Sequence, residues 1–129
     1  MIVLSRGKVV FFDVDDTMIL PPWRLTITPS TNALRDELVF VTDPHDGSRS
    51  AHLPHRRHID RLKQHHANGD GVVVWSQGGA GWCEAVVKAL GLESHVDLCI
   101  TKPNVCYDDL AISSFCQRLW LSPWGTDDE

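Results

Sequence analysis

With 129 residues, 43% of them hydrophobic, the chain has enough apolar material for one domain with a real core, and it is too short for two domains of ordinary size. A formal charge of −5 and a pI near 5.7 remove any broad attraction to nucleic acid or to an anionic membrane, and leave room only for a local basic patch. No apolar run approaches the roughly 18 residues of a membrane span, and the start MIVLSRGKVVFFD is too short and too interrupted by Arg6 and Lys8 to be a secretory leader. The expectation is one cytoplasmic domain over 1–129.

The first predicted element is KVVFFDV, Lys8 to Val14, a continuous apolar run of the kind that suits a strand covered on both faces. The segment from Ile19 to about Pro54 differs in character, with prolines at 21, 22, 29, 44 and 54. Its one strand-like run is ELVFV, Glu37 to Val41, and its loop TDPHDGSRS is rich in turn residues, so it reads as an irregular insert or hairpin flap over the mouth of a site. RRHIDRLKQHHANG predicts a helix that stops at Asn68-Gly69, and GVVVWS, Gly71 to Ser76, predicts a second buried strand. GWCEAVVKALGL sets Trp82, Val86, Ala89 and Leu90 at helical spacing before Gly91, and VDLCI, Val96 to Ile100, predicts a third strand. Strand, helix, strand, helix, strand predicts an α/β fold, doubly wound and Rossmann-like with a mostly parallel sheet, whose ligands bind at the carboxyl ends of the strands. The tail LSPWGTDDE reads as frayed.

Those strand ends carry the chemistry. Asp13, Asp15 and Asp16 close the first apolar run, and like charges that close repel unless a cation sits among them. Asp13 and Asp15 are two apart, which in an extended strand points both side chains the same way, a suitable spacing for a nucleophile and its acid/base partner. Ser76 is followed by Gln77, Gly78 and Gly79, a hydroxyl plus backbone N–H groups that could cradle a phosphate at a helix start. Lys102 follows the third run as a fixed positive charge, and Asp108 and Asp109 in VCYDD offer hard oxygen ligands for Mg²⁺ or, more plainly, a helix cap.

In this order, FFDVDDT, VVVWS, TKP and VCYDD resemble the motifs of the haloacid dehalogenase (HAD) superfamily of phosphatases, over the span from about Lys8 to Leu110 apart from the insert. The short interval between Lys102 and Asp108 is similar to that of the compact HAD proteins of bacteriophages, and with the insert after Thr17 as the one candidate lid the resemblance is to a capless or flap-only type. The resemblance implies Asp13 as the nucleophile that forms an aspartyl-phosphate and Asp15 as the general acid that then serves as base. It also implies Ser76 and Lys102 as phosphoryl ligands. Mg²⁺ would be held by Asp13, the backbone carbonyl of Asp15, and Asp109 or Asp108. The implied activity is hydrolysis of a phosphomonoester of unspecified identity, with nucleic acid not favoured by the charge balance.

Three other functions fit parts of the pattern. A phosphotransferase could use the same core, although no cap is present to exclude water. A HAD-fold protein could bind phosphate without turnover. A receiver-type phosphoacceptor domain would end its middle strand in the phosphorylated Asp, where this chain has Ser76.

Among the remaining residues, His52, His55, His58, His65 and His66 read as surface histidines rather than as zinc ligands. Trp75 reads as core, Trp23 as a possible stacking platform, and Arg24 as a phosphate contact or a solvated charge. Cys83, Cys99, Cys106 and Cys116 form no CxxC pair and read as reduced thiols, Cys99 and Cys106 as buried ones.

Overall fold

The computed structural model describes residues 7–24 and 37–123; the first part of the N-terminal stretch, the middle of the insert and the end of the tail, all discussed above, lie outside the described residues. The elements run β1 (Val9–Asp13), β2 (Ile19–Leu20), β3 (Val39–Thr42), β4 (Arg49–Pro54), α1 (Arg56–Ala67), β5 (Gly71–Ser76), α2 (Ala80–Ala89) and β6 (Leu98–Thr101). Short 3-10 turns stand at Pro22–Arg24, Glu93–His95 and Ile112–Ser114.

β1, β5 and β6 form a parallel sheet with β5 in the centre, so the class is α/β. Side chains alternate across a sheet, and the register sets Val10 and Phe12 on the same face as Val72 and Val74, with Cys99 beside Val74. This face meets both helices: Phe12, Val72 and Val74 share one buried cluster with Ile59 and Leu62 of α1 and Cys83, Val86 and Val87 of α2. The two crossovers step in one direction, β1 to β5 to β6, and the usual right-handed sense of such connections places both helices on one side. On the opposite face Val9, Phe11 and Leu98 stay largely exposed, and the Phe11 ring meets Trp75 at 4.5 Å between centroids. A second helical layer needs a strand beyond β1. Among the described residues none follows β6, and VCYDD is irregular and exposed.

The insert is an antiparallel sheet of order β2-β4-β3. Its hairpin turns at Asp43–Ser48, where the Asp43 N–H donates to the Ser48 carbonyl at 2.8 Å and Gly47 takes a positive φ of 76°. Val41 of β3 enters the main core, so the hairpin is docked on the domain and not a detached flap.

Three further expectations are corrected. His55 and His58 are buried, because the start of α1 is covered by the segment around Leu121. For the same reason the tail does not fray at its first residues, and Leu121 is buried. Cys106 is exposed, because its apolar run forms no strand and lies outside the core.

Candidate active site

β1 stops at Asp13, and the chain then turns tightly. The Val14 carbonyl collects the N–H groups of Thr17, Met18 and Ile19, and Asp16 takes a φ of 64°, a left-handed conformation that Asp tolerates better than most residues. Asp13 and Asp15 are therefore not successive side chains on one extended face as the spacing suggested; they stand on a strand end and on the turn after it. Buried Val14 and Met18 anchor this turn from below.

Asp13 keeps two partners. Thr17 Oγ1 donates to its Oδ2 at 3.3 Å, and Lys102 Nζ stands 3.9 Å from its Oδ1, with both side chains about one-third exposed (35% each). Lys102 is placed by its own backbone, whose N–H donates to the Ser76 carbonyl at 2.9 Å, and its ammonium also lies 5.7 Å from the centroid of the Trp75 ring. The ends of β1, β5 and β6 thus converge on one carboxylate.

Asp15 is exposed, yet its carboxyl is crowded by the protein around it. Burial raises its carboxyl above the ordinary Asp range, the Trp82 indole N–H donating at 3.4 Å pulls it down, and the charge of Asp13 raises it again. His52 of β4 faces Asp15 electrostatically and meets the Trp82 ring edge-on at 5.8 Å. Burial lowers the His52 pKa, so the ring favours its neutral form. Sequence reasoning puts Trp82 at the border of the site and misses both its bond to Asp15 and the place of His52 beside them; an indole and an imidazole brought together by a hairpin and a helix leave no local signature.

Ser76 is buried at the end of β5, and its Oγ accepts the Gly78 N–H at 2.9 Å. The Gly79 N–H goes to the Ser76 carbonyl and the Ala80 N–H to Thr101 Oγ1. The expectation that Gly78 cradles an anion is therefore corrected, since its N–H already serves the Ser76 turn. The Ser76 hydroxyl proton and exposed Gln77 offer further donors there.

Asp108 and Asp109 stand apart from this group. Both are exposed, and Asp108 Oδ1 accepts the Leu110 N–H at 2.9 Å, the plain capping role. Among the described residues no three of His, Cys, Asp and Glu are gathered as a metal site. The donor set fits a hard cation only in part: Asp13 and Asp15 supply oxygens on the strand end and the turn after it, while among the described residues no third carboxylate is gathered with them. Trp23 is exposed on its 3-10 turn. Among the described residues no helix is long and apolar enough to cross a membrane. Comparison with family models, with curated proteins and with solved structures returned no match.

Proposed function

We propose that this chain is a Mg²⁺-dependent phosphomonoester hydrolase of the compact HAD type, working through an aspartyl-phosphate on Asp13. The observation that carries the reading is the convergence of Lys102 on Asp13, 3.9 Å from its carboxylate at the ends of parallel strands, beside an Asp15 whose pKa is raised. Asp13 has a cation beside it, while Asp15 holds a proton more readily than an ordinary Asp, which suits Asp15 to the role of proton donor.

In the proposed reaction an Asp13 oxygen attacks phosphorus, the P–O bond to the leaving group breaks, and Asp15 gives its proton to the departing oxygen. Asp15, now ionised, takes a proton from water as that water attacks the phosphorus of the acyl phosphate, which releases inorganic phosphate and regenerates both carboxyl groups. Lys102 and the Ser76 hydroxyl hold phosphoryl oxygens. Mg²⁺ would be held by Asp13 and Asp15 and would supply charge neutralisation where Asp13, Asp15 and Asp16 outnumber Lys102.

The doubly wound core belongs to the same proposal. The outer edge of β1 is unpaired among the described residues, and the chain after β6 holds apolar residues without a place in the core, Val105 and Tyr107 among them at 72% and 99% exposed. Pairing of this stretch along β1 would bring Asp109 or Asp108 toward Asp13.

The test is release of phosphate from an aryl phosphate by the wild type, Asp13→Asn and Asp109→Asn, each with and without Mg²⁺. Release that needs Mg²⁺ and vanishes in Asp13→Asn supports the proposal. Full activity in Asp13→Asn overturns it, and a phosphate-induced rise in melting temperature without turnover points to a phosphate-binding protein.

A further inference from the structure

The stretch Trp120–Ser122 belongs to no helix or strand, yet it is tied to the turn after β1 through two histidines. Leu121 donates its N–H to His58 Nε2 at 2.9 Å, so that nitrogen carries no proton; the His58 proton sits on Nδ1, which donates to the Thr17 carbonyl at 2.7 Å. On His55 the order is reversed. Its Nδ1 accepts the His58 N–H at 3.3 Å and its Nε2 donates to the Leu121 carbonyl at 2.8 Å. Two neutral rings of opposite tautomer therefore stack 3.8 Å apart and 12° from parallel, both buried. Trp120 meets both rings edge-on and donates its indole N–H to the Asp16 carbonyl at 3.0 Å.

The ties differ in length according to where they act. The bonds from His58 and Trp120 to the turn's carbonyls are 2.7 and 3.0 Å, whereas the bonds from Thr17 and Trp82 to the carboxylates of Asp13 and Asp15 are 3.3 and 3.4 Å. The two side-chain bonds to the turn's carbonyls are the shorter pair, and the longer bonds to the carboxylates leave those groups open to a substrate. The residue so held, Asp16, is the only non-glycine with a positive φ among the described residues.

We propose that His58 and Trp120 are positioning residues, which hold the Asp13–Thr17 turn in its working conformation by pinning the carbonyls of Thr17 and Asp16, with the Leu121 strap fixing the His58 tautomer. The inference rests on the reading that Asp13 and Asp15 carry the chemistry. Neither residue touches substrate; each acts through the turn, where a small displacement of a reacting group is costly.

Two full-chain variants test it. His58→Phe keeps a ring against His55 and loses the donor to Thr17; Trp120→Phe keeps a ring against the histidines and loses the donor to Asp16. Two readouts are taken on each: kcat and KM for an aryl phosphate with Mg²⁺, and hydrogen exchange of the Thr17, Met18 and Ile19 amides. The expected result is a fall in kcat of about tenfold with KM unchanged, and exchange at those three amides faster by about tenfold while β5 amides keep their protection. Unchanged exchange, or wild-type kcat, in both folded variants overturns the proposal. Faster exchange in both variants of a chain that, even as wild type, hydrolyses no phosphoester overturns the catalytic reading and leaves the pinning of the turn established.

Discussion

The indole N–H of Trp82, on the first turn of α2, reaches the carboxyl of Asp15 at 3.4 Å across 67 positions of sequence. It is the second-largest influence on that acid after burial and opposes it. Trp82→Phe removes the donor and keeps the ring, so the Asp15 carboxyl should titrate at a still higher pH than in the wild type. A ¹³C carboxyl titration in the absence of metal reads this directly; a shift to lower pH would contradict the assignment of Trp82 as the opposing donor.

Lys102 is the only cation paired with Asp13 among the described residues. Replacing it with Met should lower phosphate release by about 10²-fold or more, as removal of a preorganised charge at a phosphoryl centre does. Because the pair is partly solvated, the thermal midpoint should hardly move. Activity assays and a melting curve on the same preparation separate the two effects.

The glycines after Ser76 are required for different reasons. Gly79 has a φ of 103°, which strains any residue with a Cβ, whereas a Cβ on Gly78 would meet Trp82 Cδ1 at 3.1 Å and Ser76 Oγ at 3.2 Å. Each change to Ala should cost about 1–2 kcal/mol in urea unfolding. Only Gly78→Ala should also disturb the Asp15 titration, because only it pushes on the Trp82 ring.

His55 carries a pH signature. Burial, with the neighbouring His58 adding to it, pushes its pKa down to about 4 from an ordinary 6.5. Between these values the unfolded chain binds a proton that the folded chain does not, so stability should fall as pH drops from about 6.5 to about 4, by on the order of 3 kcal/mol. Below that range the His55 contribution is flat. Asp15, raised by burial, acts in the opposite sense. The share of His55 is therefore read by difference, comparing urea unfolding of wild type and His55→Gln, which keeps a donor for the Leu121 carbonyl and removes the titrating ring. Equal pH slopes in the two proteins would count against it.

Much of the central sheet was legible because continuous apolar runs have few other places to go. Val9–Asp13, Gly71–Ser76 and Leu98–Thr101 lie within or next to the runs that predicted them, and both helices fall where periodicity and the Gly69 and Gly91 stops put them. The meeting of Asp13 and Lys102 follows from strand ends alone. The rest depended on partners far away in sequence. Arg56 and Arg57 make the start of α1 look solvated, and nothing near His55 or His58 announces that Leu121 will cover them. VCYDD has the apolar content of a strand, but content does not supply a neighbour to pair with, and Asp108 settles on the nearest N–H.

The parallel register that sets Val9 against Gly71 also bears on how fast the molecule can assemble. The β3–β4 hairpin closes over a handful of residues and can form within microseconds, whereas β1 finds β5 only after the whole of the intervening chain has been gathered. Contacts of such long range slow the rate-limiting step far more than they weaken the product. Refolding from urea should accordingly show the hairpin protected early, and the strand end that bears Asp13 among the last parts to become ordered.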